Sequence, residues 1–281
     1  MSALALGFIA AVCWGLHDFA IRVVSQTIPL MASLLTVLTV GLTFHLGMMG
    51  VTQSYHPISG PALVYAAMSG VFFLTASLGL YGAFQRGPVR LVAPIIASYP
   101  ILSVGWAVFN GTVLTTPKLV AVLAVITGVG LVAALADDSK SDVPAKGLTI
   151  VYALVAAIGF AGTFALGQLA AELSHHMSAT LITRVTAIVL LLGIIVVRRL
   201  PFWPGKSALI VLTLMGIADS IALASIVSAG GLPNAQYAAV AASVFGLLTI
   251  LLAWLFLKER LSALQWVGCG ITFAGIGYLA L

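Results

Sequence analysis

The chain has 281 residues, of which 62% are apolar and only 7% charged, against about 25% charged in ordinary soluble domains. Its 12 Lys+Arg and 7 Asp+Glu are too few to cover a water-soluble fold of this length, and the mean hydropathy is +1.19. Together these exclude a soluble enzyme, a nucleic-acid binder and a disordered chain, and leave a polytopic membrane protein; the net charge of +5 rests on so few groups that it indicates no polyanion partner.

A bilayer core of roughly 30 Å needs about 20 apolar residues per helix. The first apolar run has no Lys or Arg ahead of it and continues to Ala20 and beyond, so it reads as a membrane helix and not as a cleavable signal peptide. Breaks carrying Pro, Gly or charge then set spans at 3–23, 29–50, 61–84, 89–109 and 117–136, a polar linker at 137–142, and spans at 146–168, 178–197, 207–229, 235–257 and 263–281. Span four contains Pro94 and Pro100, which remove backbone hydrogen bonds and favour a kink. Its mate, span nine, carries Ala241 and Leu247 inside and has Gly231, Pro233 and Asn234 just before it, so the halves are expected to differ in stiffness. Spans five and ten carry Ala124-xxx-Gly128 and Gly270-xxx-Ala274, small pairs suited either to packing within the bundle or to a homodimer contact. Short strands alternating in polarity are not seen, so the fold class is all-α.

The two halves echo each other. Residues 126–133 (ITGVGLVA) match 273–280 (FAGIGYLA) at an offset of 147, and at 146 Ala10, Ala11 and Trp14 meet Ala156, Ala157 and Phe160. Five helices is an odd number, so a duplicated second half enters the membrane upside down. Inverted repeats place a site at midplane between the halves. The expected domains are 1–140 and 141–281.

Three stretches carry a family resemblance: residues 11–15 (AVCWG), 256–262 (FLKERLS) and 265–275 (QWVGCGITFAG). The chain resembles the drug/metabolite transporter superfamily, in its ten-helix branch with two EamA-type repeats. The first half departs from the pattern, with Thr112 where the second half has Glu259. The resemblance implies a multi-pass inner-membrane exporter of small metabolites, amino acids or drugs, working by alternating access around a central cavity, and no enzyme. The alternative weighed against it is a membrane-embedded enzyme or a non-transporting membrane protein. An enzyme would need clustered polar groups at one face, whereas the acidic residues here are scattered.

The connections after spans one, three, five, seven and nine hold Arg22, Arg86, Arg90, Lys140, Lys146, Arg198, Arg199, Lys206, Lys258 and Arg260, while the other face holds only Lys118. The positive-inside rule places the first set in the cytoplasm and both termini outside.

Charges inside a bilayer are costly and mark functional sites. Asp18, Arg184 and Asp219 qualify. At about 1.5 Å per residue, Arg184 and Asp219 differ in depth by about one turn, so they are expected to pair or to compete for substrate. An Asp in apolar surroundings can exchange protons, which makes protons the candidate coupling ion. For Asp18 the nearest structural partners are His17 and, one turn on, Arg22. Trp14, Tyr81, Tyr99, Trp106, Phe160 and Tyr237 would face a central cavity if the family architecture holds, a lining that suits aromatic solutes and cations. Ser77, Gln85, Ser98, Thr163, Gln168, Ser225, Ser228 and Gln236 are candidates for hydrogen bonds in a wet cavity, or for packing between helices. Substrate-binding candidates are therefore Trp14, Asp18, Tyr81, Tyr99, Phe160, Arg184, Asp219 and Tyr237. Cys13 and Cys269 lie in apolar runs, and the adjacent His175 and His176 should point apart on a helix, so no metal or cofactor is expected. The expected partners are a small-molecule substrate and membrane lipid, not nucleic acid.

Overall fold

A computed structural model describes residues 1–102, 105, 115–135, 146–233 and 235–279. Trp106, Asn234, Thr112 and the linker at 137–142 lie outside them. The described helices are α1 (Ala3–Val24), α2 (Leu30–Thr52), α3 (Gly60–Arg86), α4 (Val89–Ala97), α5 (Thr116–Ala134), α6 (Lys146–Glu172), α7 (His176–Arg198), α8 (Leu209–Ser228), α9 (Gln236–Ala242), α10 (Phe245–Phe256) and α11 (Ala263–Leu279). Among the described residues, eight helical stretches are long and apolar enough to cross a membrane, counting Tyr237–Phe256 as one and with Val89–Leu102 shorter.

The pattern is inside-out relative to a soluble bundle. On α1, Phe8, Val12 and Leu16 are each about half exposed and spaced one turn apart, while Ala3, Gly7, Ala10, Ala11, Trp14 and Asp18 face inward. Such an apolar stripe on a helix of membrane-spanning length suits contact with lipid. Inside, small residues let backbones approach closely. A Cβ at Gly159 would lie 2.6 Å from the Ala76 nitrogen, and one at Gly79 would lie 2.7 Å from the Tyr152 carbonyl. The contacts Gly87–Thr149, Gly79–Tyr152, Ala76–Gly159, Phe72–Gly162 and Ser69–Gly167 show that α3 and α6 run antiparallel in close register. By contrast, α1 and α3 run parallel, with Arg22 on the Phe84 carbonyl and His17 beside Tyr81.

The helix neighbours are α3 with α6 and α7, α8 with α1 and α2, α1 with α9 and α10, α4 with α6 and α10, α2 with α7, and α5 with α11. On the α5–α11 seam, Gly128 meets Gly268 and Thr272, and Gly275 meets Ala121 and Val125. Gly268, Thr272 and Gly275 thus make the packing face of α11. Gly270 and Ala274 are exposed on its other side, so the expected 270/274 pair does not pack within the bundle.

Both span four and span nine are broken. In the first, Pro94 lies inside α4 and the helix stops at Ser98, whose hydroxyl donates to the Ile95 carbonyl at 2.7 Å. In the second there is no proline; α9 ends at Ala242 and Ser243 donates to the Val240 carbonyl at 2.6 Å before α10 begins. The expected difference between the halves is therefore smaller than their proline content suggests: a serine hydroxyl bonds a carbonyl in the preceding turn at either break. Gly246 packs on Ala93 and Ala97, so the two broken helices touch close to their interruptions.

Candidate functional site

Trp14 and Asp18 come one turn apart on the inward face of α1, as helical periodicity requires. The Trp14 indole Nε1 donates to Asp219 Oδ1 at 3.1 Å. From α7, Arg184 Nη2 donates to Asp219 Oδ2 at 2.9 Å. One carboxylate in the middle of α8 thus ties α1 and α7 together. The pairing expected from matched depth is present. Arg184 is wholly buried, and its Nε and Nη1 have no hydrogen-bond partner among the described residues. Its Cζ stands 5.7 Å from the Phe73 ring centroid, in cation–π range. The guanidinium fits because residue 41 is glycine: a Cβ there would lie 2.5 Å from Nη1.

A second polar chain runs beside it. His17 Nδ1 is 3.0 Å from Asp18 Oδ1, and Tyr81 Oη is 3.5 Å from His17 Nε2. All three side chains are buried. Arg22 does not serve Asp18. It donates to the Phe84 carbonyl at 2.9 Å, and its Nε lies 3.7 Å from Glu259 Oε1.

Between the two polar sets is a cavity of about 10 Å³, lined by Trp14, His17, Tyr81, Phe160 and Asp219 among others. That volume holds about one water, too little for an organic solute. Trp14 lies 6.0 Å from Phe160 and stacks on Phe164 at 5.3 Å. Tyr99 packs edge-on against Phe164 at 5.2 Å and donates its hydroxyl to the Ala239 carbonyl, joining α9 to the residues just past α4. Tyr99 is therefore one layer removed from the cavity. Tyr237 is half-buried and does not line it. Sequence reasoning missed Phe164, Phe73 and the lining role of His17. Phe164 falls one turn after Phe160, a signal that helical spacing would have given.

Of the uncharged polar candidates, Ser77 lines the cavity while donating to the Phe73 carbonyl at 2.8 Å. Thr163, Ser225 and Ser228 bond carbonyls within a turn of their own helix. Gln85 bonds the Ser25 carbonyl, and Gln168 bonds the carbonyls of Ile226 and Ala235. These are joints between elements.

The two ends of the bundle are fastened differently. At the basic end Glu259 accepts from the backbone N–H groups of Val89 and Arg90, both at 3.3 Å, at the start of α4, where a carboxylate complements the helix dipole. The same turn is stiffened by a capping box on α11: Ser262 and Gln265 each bond the other's backbone N–H, at 3.0 and 3.2 Å. At the other end the rings of His56 and His175 lie 4.1 Å apart, and Ser178 donates to the His56 carbonyl at 2.6 Å. His175 precedes α7 and caps it, so its ring stacks on His176 at 4.5 Å, where helical neighbours would diverge. Burial and the nearby His56 hold the His175 imidazole below the usual histidine range. Among the described residues no cluster of three metal-ligand side chains occurs, and both cysteines are free.

Known proteins resemble the chain at three levels. A solved crystal structure, 15% identical, superposes with a TM-score of 0.73 over 99% of this chain and 98% of its own, so the two share a fold. An uncharacterized protein of Methanocaldococcus jannaschii is 27% identical over 129 residues, which are 46% of this chain and 93% of that one. The EamA-like transporter family matches residues 147–281. With its run of membrane-length helices, the chain carries an EamA-like transporter family domain.

Proposed function

We propose that the chain is a ten-helix carrier of two inverted five-helix repeats, 1–140 and 141–281, in the inner membrane. It exports small organic metabolites such as amino acids or drugs by alternating access, with protons as the coupling ion. Several observations support the repeat. Pairing each helix of the first half with its counterpart in the second turns the α3–α6 contact into α8–α1, α3–α7 into α8–α2, and α4–α6 into the contact of α1 with α9 and α10. Arg22 at the end of α1 bonds a carbonyl of α3, and Gln168, its equivalent at an offset of 146, bonds a carbonyl of α8. Because α1 is parallel to α3 and α3 antiparallel to α6, the first helices of the two halves run oppositely. The archaeal relative, nearly all of which is covered by less than half of this chain, is of single-repeat length.

The observation that carries the transport reading is the Asp219 carboxylate held between Arg184 and Trp14 beside a small cavity. A fully buried guanidinium with two unpartnered nitrogens has unused capacity for a polar guest, and buried ionisable groups in membrane helices line solute and ion pathways. Aromatic walls on α1, α3 and α6 provide the apolar complement. The test is flux of radiolabelled amino acids, sugars and organic cations in proteoliposomes, with and without a pH gradient. Saturable flux driven by the gradient and abolished by Asp219→Asn is expected. Vesicles that move none of these solutes above the protein-free background would overturn the reading.

A further inference from the structure

The two buried carboxylates of the central site are compensated differently. Asp219 has the Arg184 guanidinium at 2.9 Å and the Trp14 indole at 3.1 Å. Arginine keeps its charge at every pH a cell meets, so Asp219 has a permanent counter-ion. Asp18 is 2% exposed, and its side-chain partner is His17, at 3.0 Å. Imidazole is the side chain whose own charge changes near neutrality.

Among the described residues, no fixed cation reaches Asp18 from the helices packed on α1. From α3 comes Tyr81, whose hydroxyl approaches the far nitrogen of the His17 ring. From α8 comes Asp219, a like charge near enough to interact with Asp18. Arg184 of α7 is engaged with Asp219 and lies over Phe73. The sequences of α9 and α10 hold no Asp, Glu, Lys, Arg, His or Cys. On α1 itself Cys13 is a half-buried thiol, and Arg22 is turned to Phe84 and Glu259.

We infer that the His17–Asp18 pair is the proton-binding site of the carrier, holding one exchangeable proton beside the cavity while Asp219 stays ionised against Arg184. With the proton bound, the pair is net neutral, as imidazole beside a carboxylic acid. When the proton leaves to water, one negative charge remains. The four groups His17, Asp18, Arg184 and Asp219 then change together from zero to minus one. A buried site that changes charge by one favours different packing in its two states. Because His17 lines the cavity and Asp18 is adjacent in the helix, that change is felt where a solute would sit.

This inference rests on the transporter reading, but its test needs no solute. Infrared difference spectra of the full-length protein in detergent are taken between alkaline and acid buffer. Wild type is expected to show a protonated-carboxyl band from a buried acid, lost in Asp18→Asn and retained in Asp219→Asn. A band of full size in Asp18→Asn, or one lost in Asp219→Asn, overturns the assignment. A second variant, His17→Gln, keeps a hydrogen-bonding side chain that cannot be charged. It is expected to retain the band and to move its pH midpoint by about one unit or more; an unmoved midpoint overturns the pairing even if Asp18→Asn does not fold. An intact band in a protein that moves no solute would sink the carrier reading alone. Flux with no such band would sink the proton site alone.

Discussion

Replacing Arg184 by Met tests whether the central ion pair is as dry as its geometry indicates. Arg184 is wholly buried and bonds Asp219 at 2.9 Å, and Asp219 is 4% exposed. Removing one partner of such a pair strands the other charge, at a cost of about 3–5 kcal/mol. Asp219→Leu strands the guanidinium at a similar cost, so the two singles sum to about 6–10 kcal/mol. In the double variant no charge is stranded, and the main loss is the acceptor of the Trp14 indole N–H, about 1–3 kcal/mol. The cycle is therefore expected to be strongly non-additive, with the double variant more stable than either single. Reversible unfolding of the four proteins in mixed micelles reads this out. Additive losses, or an Arg184→Met protein as stable as wild type, would mean that water or detergent solvates the pair, and the argument from burial would fail.

Three further expectations follow from packing and charge. Gly159→Ala places a methyl 2.6 Å from backbone on α3 and should destabilise by about 1–3 kcal/mol, whereas Gly193→Ala, with nothing within 4 Å, should stabilise by about 0.5–1 kcal/mol; unfolding midpoints of the two variants shifting the same way would contradict this. Since His175 is held below its unfolded value, its contribution is present above that unfolded value and is lost as pH falls through the folded one. Protection factors for amide exchange at 54–58 and 174–178, taken against the intrinsic rate at each pH, should therefore fall on acidification, and His175→Asn, which keeps a capping side chain, should flatten the dependence. Glu259→Gln weakens the tie to the start of α4 by about 1 kcal/mol. In a Cys13→Ala, Cys269→Ala background, a cysteine at Ala93 should then react faster with an impermeant thiol reagent added on the basic side; unchanged labelling would count against Glu259 as a fastening.

Much of this arrangement was legible in the sequence because the bilayer leaves few options. Charge is so scarce in the spans that Arg184 and Asp219 could be matched by depth alone. Other features were hidden for identifiable reasons. Arg22 looked like a partner for Asp18 at helical spacing, yet α1 ends where a carbonyl of α3 and the Glu259 carboxylate compete for it. The interruption at Ser243 has no proline to announce it, since a hydroxyl bonding a carbonyl in its own helix leaves no mark in hydropathy. Tyr237 was expected inward only because its span would face a cavity in the family architecture, but it is the carbonyl of Ala239 that meets Tyr99, and Tyr237 does not line the cavity. The alternation of exposed and packed small residues on α11 depends on helix rotation, which composition does not encode.

The seam between α3 and α6 has a mechanical consequence. Where Gly79 and Gly159 bring two backbones into contact, no layer of side chains is left to shear or repack, and the antiparallel pair behaves as a single spar. Bending is taken up more easily by the elements hung around it, foremost the two interrupted rods that touch at Gly246. A seam of backbone on backbone and a pair of broken helices are thus neighbours, a keel with a joint on its flank.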